Sequence, residues 1–208
     1  MAKRGRPRSF DRETALRRAV DVFWAQGYEG ATLSDLQAAM GGIGAPSFYA
    51  AFGSKEELFR EAVEMYRATV GTPMLRALIG HQTAHASIEA MLRAAMESFC
   101  HRDHPRGCLL VLGTISCTRA SANVQEHLRA FRLQTLEHIQ RRLERGVTEG
   151  DVPANFDLAG LAAFYTTVLH GLSIQARDGA ARETLTTTVD YAMAAWGCRL
   201  VAPEGASS

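Results

Sequence analysis

The chain has no hydrophobic run long enough to cross a membrane. Even its most strongly apolar run, CLLVL at residues 108–112, is far shorter than the roughly 20 residues that a membrane-spanning helix needs. The amino-terminal end is charged and shows no apolar stretch ahead of a cleavage site, which argues against a secretory signal. We therefore expect a cytoplasmic protein with no membrane partner.

The sequence also lacks the usual motifs of enzymes, disulfide-stapled domains and metal proteins. Its four cysteines, at positions 100, 108, 117 and 198, form no C-x-x-C pair, so reduced thiols are expected. We find no Gly-x-Ser-x-Gly motif, metal-spaced histidine pair or phosphate-binding glycine loop, and we predict no catalytic residues and no cofactor. Residues 100–104 read CHRDH, but they lack a second well-spaced ligand group. A solvated loop is favoured there over a metal site.

The most informative segment runs from residue 32 to residue 55 and predicts short helices separated by a glycine turn. Thr32 and Asp35 form a T-x-x-D capping pattern that begins one helix. Gly41 and Gly42 end this helix, because glycine tolerates the left-handed geometry of a helix C-terminus. Pro46 suits the first turn of the next helix, where its missing N–H costs nothing. A further helix is expected after Ser54, which opens a second capping box.

The second of these helices is predicted to have one aromatic side and one side of small residues. Phe48, Tyr49 and Phe52 are expected on the buried side. The outward residues are Ala45, Ser47, Ala50 and Ala51. Small side chains allow a helix to lie deep in the major groove of DNA, so the segment predicts a DNA-binding helix-turn-helix. A helical hairpin buried in an all-helical core is the alternative.

Positive charge is concentrated at the amino terminus. The first 18 residues carry seven Lys or Arg and two Asp or Glu, although the whole chain has a net charge of only +1. Residues 1–8 are therefore predicted to be a basic arm in which Arg6 and Arg8 enter an A·T-rich minor groove. The alternative is a solvated tail that only aids solubility.

Several motifs together resemble the TetR/AcrR family of bacterial regulators. They are the basic arm, FWAQGY at 23–28, T-x-x-DL at 32–36, SFYAAF at 47–52 and SKE at 54–56. The resemblance covers roughly the first third of the chain and implies that a recognition helix contacts bases while Tyr49 and Lys55 hold phosphates. The DNA-contacting residues expected on this basis are Arg6, Arg8, Thr32, Gly44, Ala45, Ser47, Tyr49 and Lys55. The glycine turn is one residue longer than the usual family pattern.

The fold class expected is all-α, with a three-helix DNA-binding head and a helical-bundle regulatory body. We assign residues 1–8 to the arm, 9–56 to the helix-turn-helix domain, 57–202 to a ligand-binding and dimerisation domain, and 203–208 to a tail. Within the body, apolar spacing predicts a long helix over 124–147 and a loop at 150–155. Residues 108–115 are predicted to be buried on all sides.

Two apolar stripes near the carboxyl end are predicted to pack lengthwise on other helices. The first contains Leu158, Leu161, Tyr165, Val168 and Leu172, and the second contains Leu185, Val189, Met193, Trp196 and Leu200. In the family resembled, such helices meet their twofold mates in a four-helix interface, so a homodimer is expected. Closure of the monomer's own core is the alternative.

The effector site is predicted only loosely from the sequence. Candidate pocket residues are Met91, Met96, Phe99, Leu112, Tyr165 and His170, each of which could instead be ordinary core. Gly107-Cys108-Leu109 followed by Cys117 is similar to a segment of N-ethylmaleimide-responsive repressors, in which the first cysteine senses electrophiles. Arg106 is expected to lower the pKa of the Cys108 thiol. A small buried hydrophobe is the alternative role for Cys108.

These patterns predict a homodimeric regulator that binds a double-stranded DNA operator of palindromic sequence, and the family resemblance implies that it is a repressor. A small molecule, electrophile or oxidant sensed in the body would release it. The alternative is an effector-binding or redox-sensing protein that acts mainly through a protein partner.

Overall fold

The protein is mainly helical in the part that the structure describes. A computed structural model describes residues 11–115 and 117–197, and no strand occurs within these ranges. The all-α prediction is therefore confirmed. The basic arm at 1–8, Leu200 and the tail at 203–208 lie outside the described residues.

Ten α-helices make up the described ranges. The first four are α1 (Arg12–Gly30), α2 (Leu33–Ala39), α3 (Ala45–Phe52) and α4 (Lys55–Tyr66). A π-helical turn, Arg67–Gly71, leads into α5 (Thr72–Ile79), α6 (Ala84–Phe99) and the short α7 (Leu109–Leu112). The last three are α8 (Ala122–Glu149), α9 (Leu158–Arg177) and α10 (Arg182–Ala194). We call α1–α3 the head and α4–α10 the body.

The helix ends of the head follow the predicted caps. The Thr32 hydroxyl accepts from the Asp35 N–H, and the Asp35 carboxylate accepts from the Thr32 N–H, so the capping box forms in full. Gly41 and Gly42 have φ angles of 95° and 77°, which L side chains rarely adopt. The second capping box forms only by half. Ser54 Oγ accepts from the Glu57 N–H, but the Ser54 N–H donates to the Phe52 carbonyl.

The prediction that Tyr49 lies on the buried side of α3 is wrong. Phe48 and Phe52 are four residues apart and both are buried, while 52% of Tyr49 is exposed. Because adjacent helical residues are turned by about 100°, Tyr49 lies at the flank of the Phe48–Phe52 stripe, where its ring meets that of Phe48 edge-on at 5.4 Å. Its hydroxyl-bearing edge is therefore open to solvent.

The long helix and the loop of the body appear where they were expected. Helix α8 is continuous for 28 residues and ends at Gly150, whose left-handed φ of 82° closes it before the loop. The expectation for residues 108–115 holds only in part. Leu109 is fully buried, but 62% of Ile115 is exposed because α7 ends at Gly113 and the following turn lies at the surface.

The predicted dimer stripes are mainly packed inside their own chain. Tyr165, Leu172, Leu185 and Val189 are fully buried between α6, α9 and α10, and the Tyr165 hydroxyl donates to the Ala192 carbonyl. These four side chains are enclosed by their own chain and favour the alternative of a closed monomer core, whereas Leu158, Leu161 and Val168 are only partly buried and the four-helix interface stays a prediction. The large apolar residues that α9 and α10 leave exposed are different ones, namely Phe164, Ile174 and Tyr191.

Candidate DNA-binding surface and effector cavity

The outer face of α3 is exposed and made of small groups. Ala45, Ser47 and Ala50 all lie open to solvent beside the exposed Tyr49. The helix is held from the other side by Phe48 and Phe52, so this face requires no rearrangement to be reached. A face of this shape can approach base edges in a major groove closely.

Cations of α1 fix the three helices of the head against α4. The Arg12 guanidinium lies 4.7 Å from the centre of the Phe52 ring and binds the Glu61 carboxylate at 2.7 Å. Arg18 donates to the Ala39 carbonyl at the end of α2. These contacts orient α2 and α3 on a shared support.

Thr32 and Lys55 lie at the amino-terminal ends of α2 and α4, where backbone N–H groups favour anions. The Thr32 hydroxyl is bonded to the Asp35 carboxylate at 2.6 Å, and this bond lowers the pKa of Asp35. The Lys55 ammonium lies 4.4 Å above the Tyr28 ring, and burial lowers its pKa. Lys55 would have to leave this ring in order to reach a phosphate.

The carboxyl end of α1 is tied to the body by four hydrogen bonds to backbone carbonyls. The Trp24 indole N–H donates to the Gly107 carbonyl at 3.2 Å, and the Tyr28 N–H donates to the Gly113 carbonyl at 2.8 Å. The Arg177 guanidinium of α9 donates to the carbonyls of Trp24 and Ala25 at 2.8 and 2.9 Å. Motion of the segment around residues 107–113 would therefore act directly on α1.

Aromatic rings extend this junction towards the interior of the body. Trp24 stacks on His104 with ring centres 4.2 Å apart, and it meets Tyr66 of α4 edge-on at 4.7 Å. Sequence reasoning placed Trp24 in a family motif but gave no role to Tyr66 or Arg177. Their contacts join residues far apart in the chain, and no local pattern marks them.

Cys108 lies at this junction, but its environment differs from the one predicted. Its thiol is buried and accepts a hydrogen bond from the Tyr66 hydroxyl at 3.3 Å. Burial raises the pKa of Cys108. Arg106 does not lower it, because its guanidinium is turned towards the Ala180 carbonyl, 2.8 Å away. The cation that acts on the thiol is Arg132, whose effect is smaller than that of burial.

A cavity of about 330 Å³ opens between α4, the π-helical turn, α5 and α8. Its inner wall is apolar and includes Leu78, Met91 and Leu110, while its rim carries Arg67 and His138. The Arg67 guanidinium stacks 3.8 Å from the centre of the Phe131 ring, and burial lowers the pKa of His138.

Only one of the predicted pocket residues lines this cavity, and that residue is Met91. Met96, Phe99, Leu112, Tyr165 and His170 lie elsewhere in the body. Sequence spacing shows which residues face inward, but it does not show where the packing leaves a gap.

The described ranges contain no group of three His, Cys, Asp or Glu side chains placed to hold a metal ion. Among the same residues, no helix is both long and apolar enough to cross a bilayer.

Two family models match the chain. One, described as "Bacterial regulatory proteins, tetR family", matches residues 15–62. The other, described as "Tetracyclin repressor-like, C-terminal domain", matches residues 84–195.

Curated relatives and solved structures agree with these matches. The chain is 31% identical to the Escherichia coli transcriptional repressor ComR, covering 93% of this chain and 92% of ComR, and 27% identical to the E. coli repressor BdcR over 90% of each. A cysteine-substituted CifR bound to 26-base-pair operator DNA is 46% identical to this chain and has a TM-score of 0.88. The match covers 92% of this chain and 100% of the CifR chain. Reduced E. coli NemR, at 20% identity, has a TM-score of 0.73 over 87% of this chain and 94% of NemR and shares the fold.

The capped α2, the glycine turn and the exposed α3 define a helix-turn-helix transcriptional regulator, and the body below them is a helical bundle with a cavity. The chain belongs to the TetR family of bacterial regulatory proteins. The resemblance found in its first third is thereby confirmed over nearly its whole length.

Proposed function

We propose that the protein is a repressor that binds a palindromic double-stranded DNA operator as a homodimer and leaves it when an effector binds the body. The observation that carries this proposal is the exposed face of small residues on α3. The relatives ComR and BdcR are repressors, and CifR is bound to operator DNA in its structure, which supports the same role here.

The DNA surface would combine the outer face of α3 with the flanking helix ends. Gly44, Ala45 and Ser47 would approach bases, and the exposed Tyr49 hydroxyl would donate to a phosphate. Thr32 and Lys55 would bind phosphates on either side of α3, with Lys55 moving away from Tyr28. Arg6 and Arg8 of the arm would add minor-groove contacts. The proposed boundary between head and body domains is residue 56.

The homodimer would form through the surface that α9 and α10 leave open. Phe164 and Ile174 are exposed on one side of α9, and they are separated by Thr167 and Gly171, which are small enough for another helix to approach closely. Tyr191 of α10 is 76% exposed. Burying such residues against a second copy stabilises an interface. Two heads are also needed for selectivity, because one recognition helix contacts too few bases.

The effector would bind in the cavity beside Met91. The wall formed by α4 and the π-helical turn belongs to the same helix run that carries Tyr66 to Trp24, so a change in the cavity would reach α1. The coupling free energy between two such sites is typically about 1 to 3 kcal/mol, which is enough to weaken DNA binding severalfold to about a hundredfold.

Selection of bound fragments from random DNA tests the proposal. We expect enrichment of an inverted repeat at physiological salt, and Ser47→Trp, which fills the outer face of α3, should abolish it. Thr148→Trp, on an exposed site of α8 outside the proposed DNA and dimer surfaces, is the matched control. Retention of DNA without sequence preference, or equal enrichment by Ser47→Trp, would overturn the proposal and favour a protein partner.

A further inference from the structure

A second cavity, of about 590 Å³, lies beside the junction with α1, since its lining residue His104 stacks on Trp24. One wall is the loop at residues 100–106, between α6 and α7, and the other is the turn at 179–183, which begins α10. It shares no residue with the effector cavity beside Met91. Its own chemistry is therefore a separate question.

The walls of this cavity carry more positive than negative charge. Arg102, Arg106 and Arg182 line it together with two histidines, whereas Glu183 is the only carboxylate among the lining residues. Arg182 is paired with Glu97 on α6. Asp103 lies 3.7 Å from a nitrogen of His101 and is mostly exposed to solvent. In the described part of the chain, no ion pair joins Arg102 or Arg106 to a carboxylate.

Arg106 has hydrogen-bonding capacity left over. One terminal nitrogen donates to the Ala180 carbonyl, 2.8 Å away, and lies 3.8 Å from the Cys100 sulfur. The Nε–H of the same guanidinium is shielded from solvent and has no acceptor within the described ranges. Buried donors are nearly always paired, so Arg106 has a donor that its own chain does not use and that a small rotation of the guanidinium would present to an acceptor in the cavity.

The start of α10 adds a second set of unpaired donors. Its N-cap is Ala181, which has no side chain able to accept from the first-turn N–H groups. Helix α10 is 13 residues long, and its dipole favours negative charge at this end. Within the described residues, the uncapped helix end and two arginines without a carboxylate partner border the same space.

We propose that this cavity binds a compact oxyanion that carries two or more negative charges on phosphate or carboxylate groups. Arg102 and Arg106 bind the oxyanion from the loop, and the first-turn N–H groups of α10 bind it from the opposite wall. Guanidinium groups and helix ends are the usual donors for both kinds of anion.

The same site is connected to the head. His104 lines the cavity and stacks on Trp24, and the Arg106 carbonyl accepts from Arg177 at 3.5 Å. Arg177 in turn holds the Trp24 and Ala25 carbonyls. An anion that reorients the loop therefore shifts α1. This consequence for DNA binding depends on the proposed function, whereas anion binding itself does not.

Isothermal titration of the full chain with pyrophosphate and with succinate, at constant ionic strength, tests the site. At least one of the two should bind, and the comparison shows whether phosphate or carboxylate is preferred. Arg102→Gln, an exposed change that leaves the packing intact, should weaken binding about tenfold, as should Arg106→Gln. Arg141→Gln, on the exposed side of α8, is the control and should bind as the wild type does.

Absence of binding by both anions to the wild type would overturn the proposal. Equal affinity in the wild type and Arg102→Gln, or an equal loss in Arg141→Gln, would also overturn it. Operator affinity with and without the bound anion is then measured for the wild type and Arg102→Gln. If the anion changes operator affinity in the wild type alone, the connection to α1 is supported. If it changes operator affinity in neither protein, the connection is refuted, although the anion site itself is not.

Discussion

The helix ends of the head are capped by side chains within one turn of the same helix, whereas the junction with the body is held by residues far apart in the chain. Thr32 and Asp35 cap α2 over three residues, and Asp11 caps α1 in the same way. By contrast, the Arg177 guanidinium donates to the Trp24 carbonyl, 153 positions away along the chain. The helix ends of the head therefore follow local rules, whereas the packing of its helices and its orientation on the body depend on contacts between residues far apart in the chain.

The largest effect is expected from a long-range polar contact deep in the body, at Arg142 of α8. Its side chain is buried and donates to Ser87 Oγ at 2.8 Å and to the carbonyls of His81 and Gln82. Arg142→Met should lower the free energy of unfolding by about 3 kcal/mol, because buried acceptors lose their donor. Urea denaturation provides the measurement.

Arg145→Met is the matched control. Arg145 lies three residues after Arg142 on the same helix, and its side chain is half exposed beside Glu149. We expect a change within about 0.5 kcal/mol. If both variants lost stability equally, the contrast between local and long-range contacts would not hold in the body.

The next effect concerns the junction itself. Arg177→Met removes the donor from the Trp24 and Ala25 carbonyls and so frees the end of α1 from the body. Operator affinity, measured by fluorescence anisotropy, should fall about tenfold, because hydrogen bonds from charged donors contribute about 1.5 to 3 kcal/mol. Release of DNA by an effector should also become weaker.

Arg129→Met on α8 controls for the loss of an exposed arginine. Among the described residues, the only ion pair of Arg129 is with the neighbouring Glu126. It should bind the operator as the wild type does. Unchanged operator affinity and unchanged effector response in Arg177→Met would show that α1 is not positioned through α9.

The same division explains how much could be predicted from the sequence. Local features could be predicted from residue spacing alone. They are the caps at Thr32 and Ser54, the glycine turn and the small outer face of α3. The role of Arg177, the gap beside Met91 and the orientation of Arg106 depend on residues brought together only by folding. Tyr49 illustrates the limit within the head, since helical spacing alone placed it on the wrong side of α3.

A smaller effect is expected for the phosphate contact proposed for Tyr49. Tyr49→Phe keeps the ring that meets Phe48 and removes only the exposed hydroxyl. Loss of one hydrogen bond of about 1 kcal/mol should weaken operator binding about fivefold, and unrelated DNA should be affected to the same degree. Thr148→Val, which removes an exposed hydroxyl from the end of α8 outside the proposed DNA and dimer surfaces, is the control. A loss confined to the operator would mean that Tyr49 contacts bases instead.

The smallest effect is expected at Cys108 at neutral pH, despite its place at the junction. Burial raises the pKa of the thiol, so the reactive thiolate is scarce until the pH rises. Mass spectrometry after brief N-ethylmaleimide treatment at pH 7 should find Cys108 modified more slowly than the half-buried Cys100, and the difference should vanish in denaturant. DNA release by the reagent should then be equal in the wild type and Cys108→Ser. Faster release of the wild type would instead show that the Tyr66–Cys108 contact opens readily and that the long-range junction carries a thiol sensor.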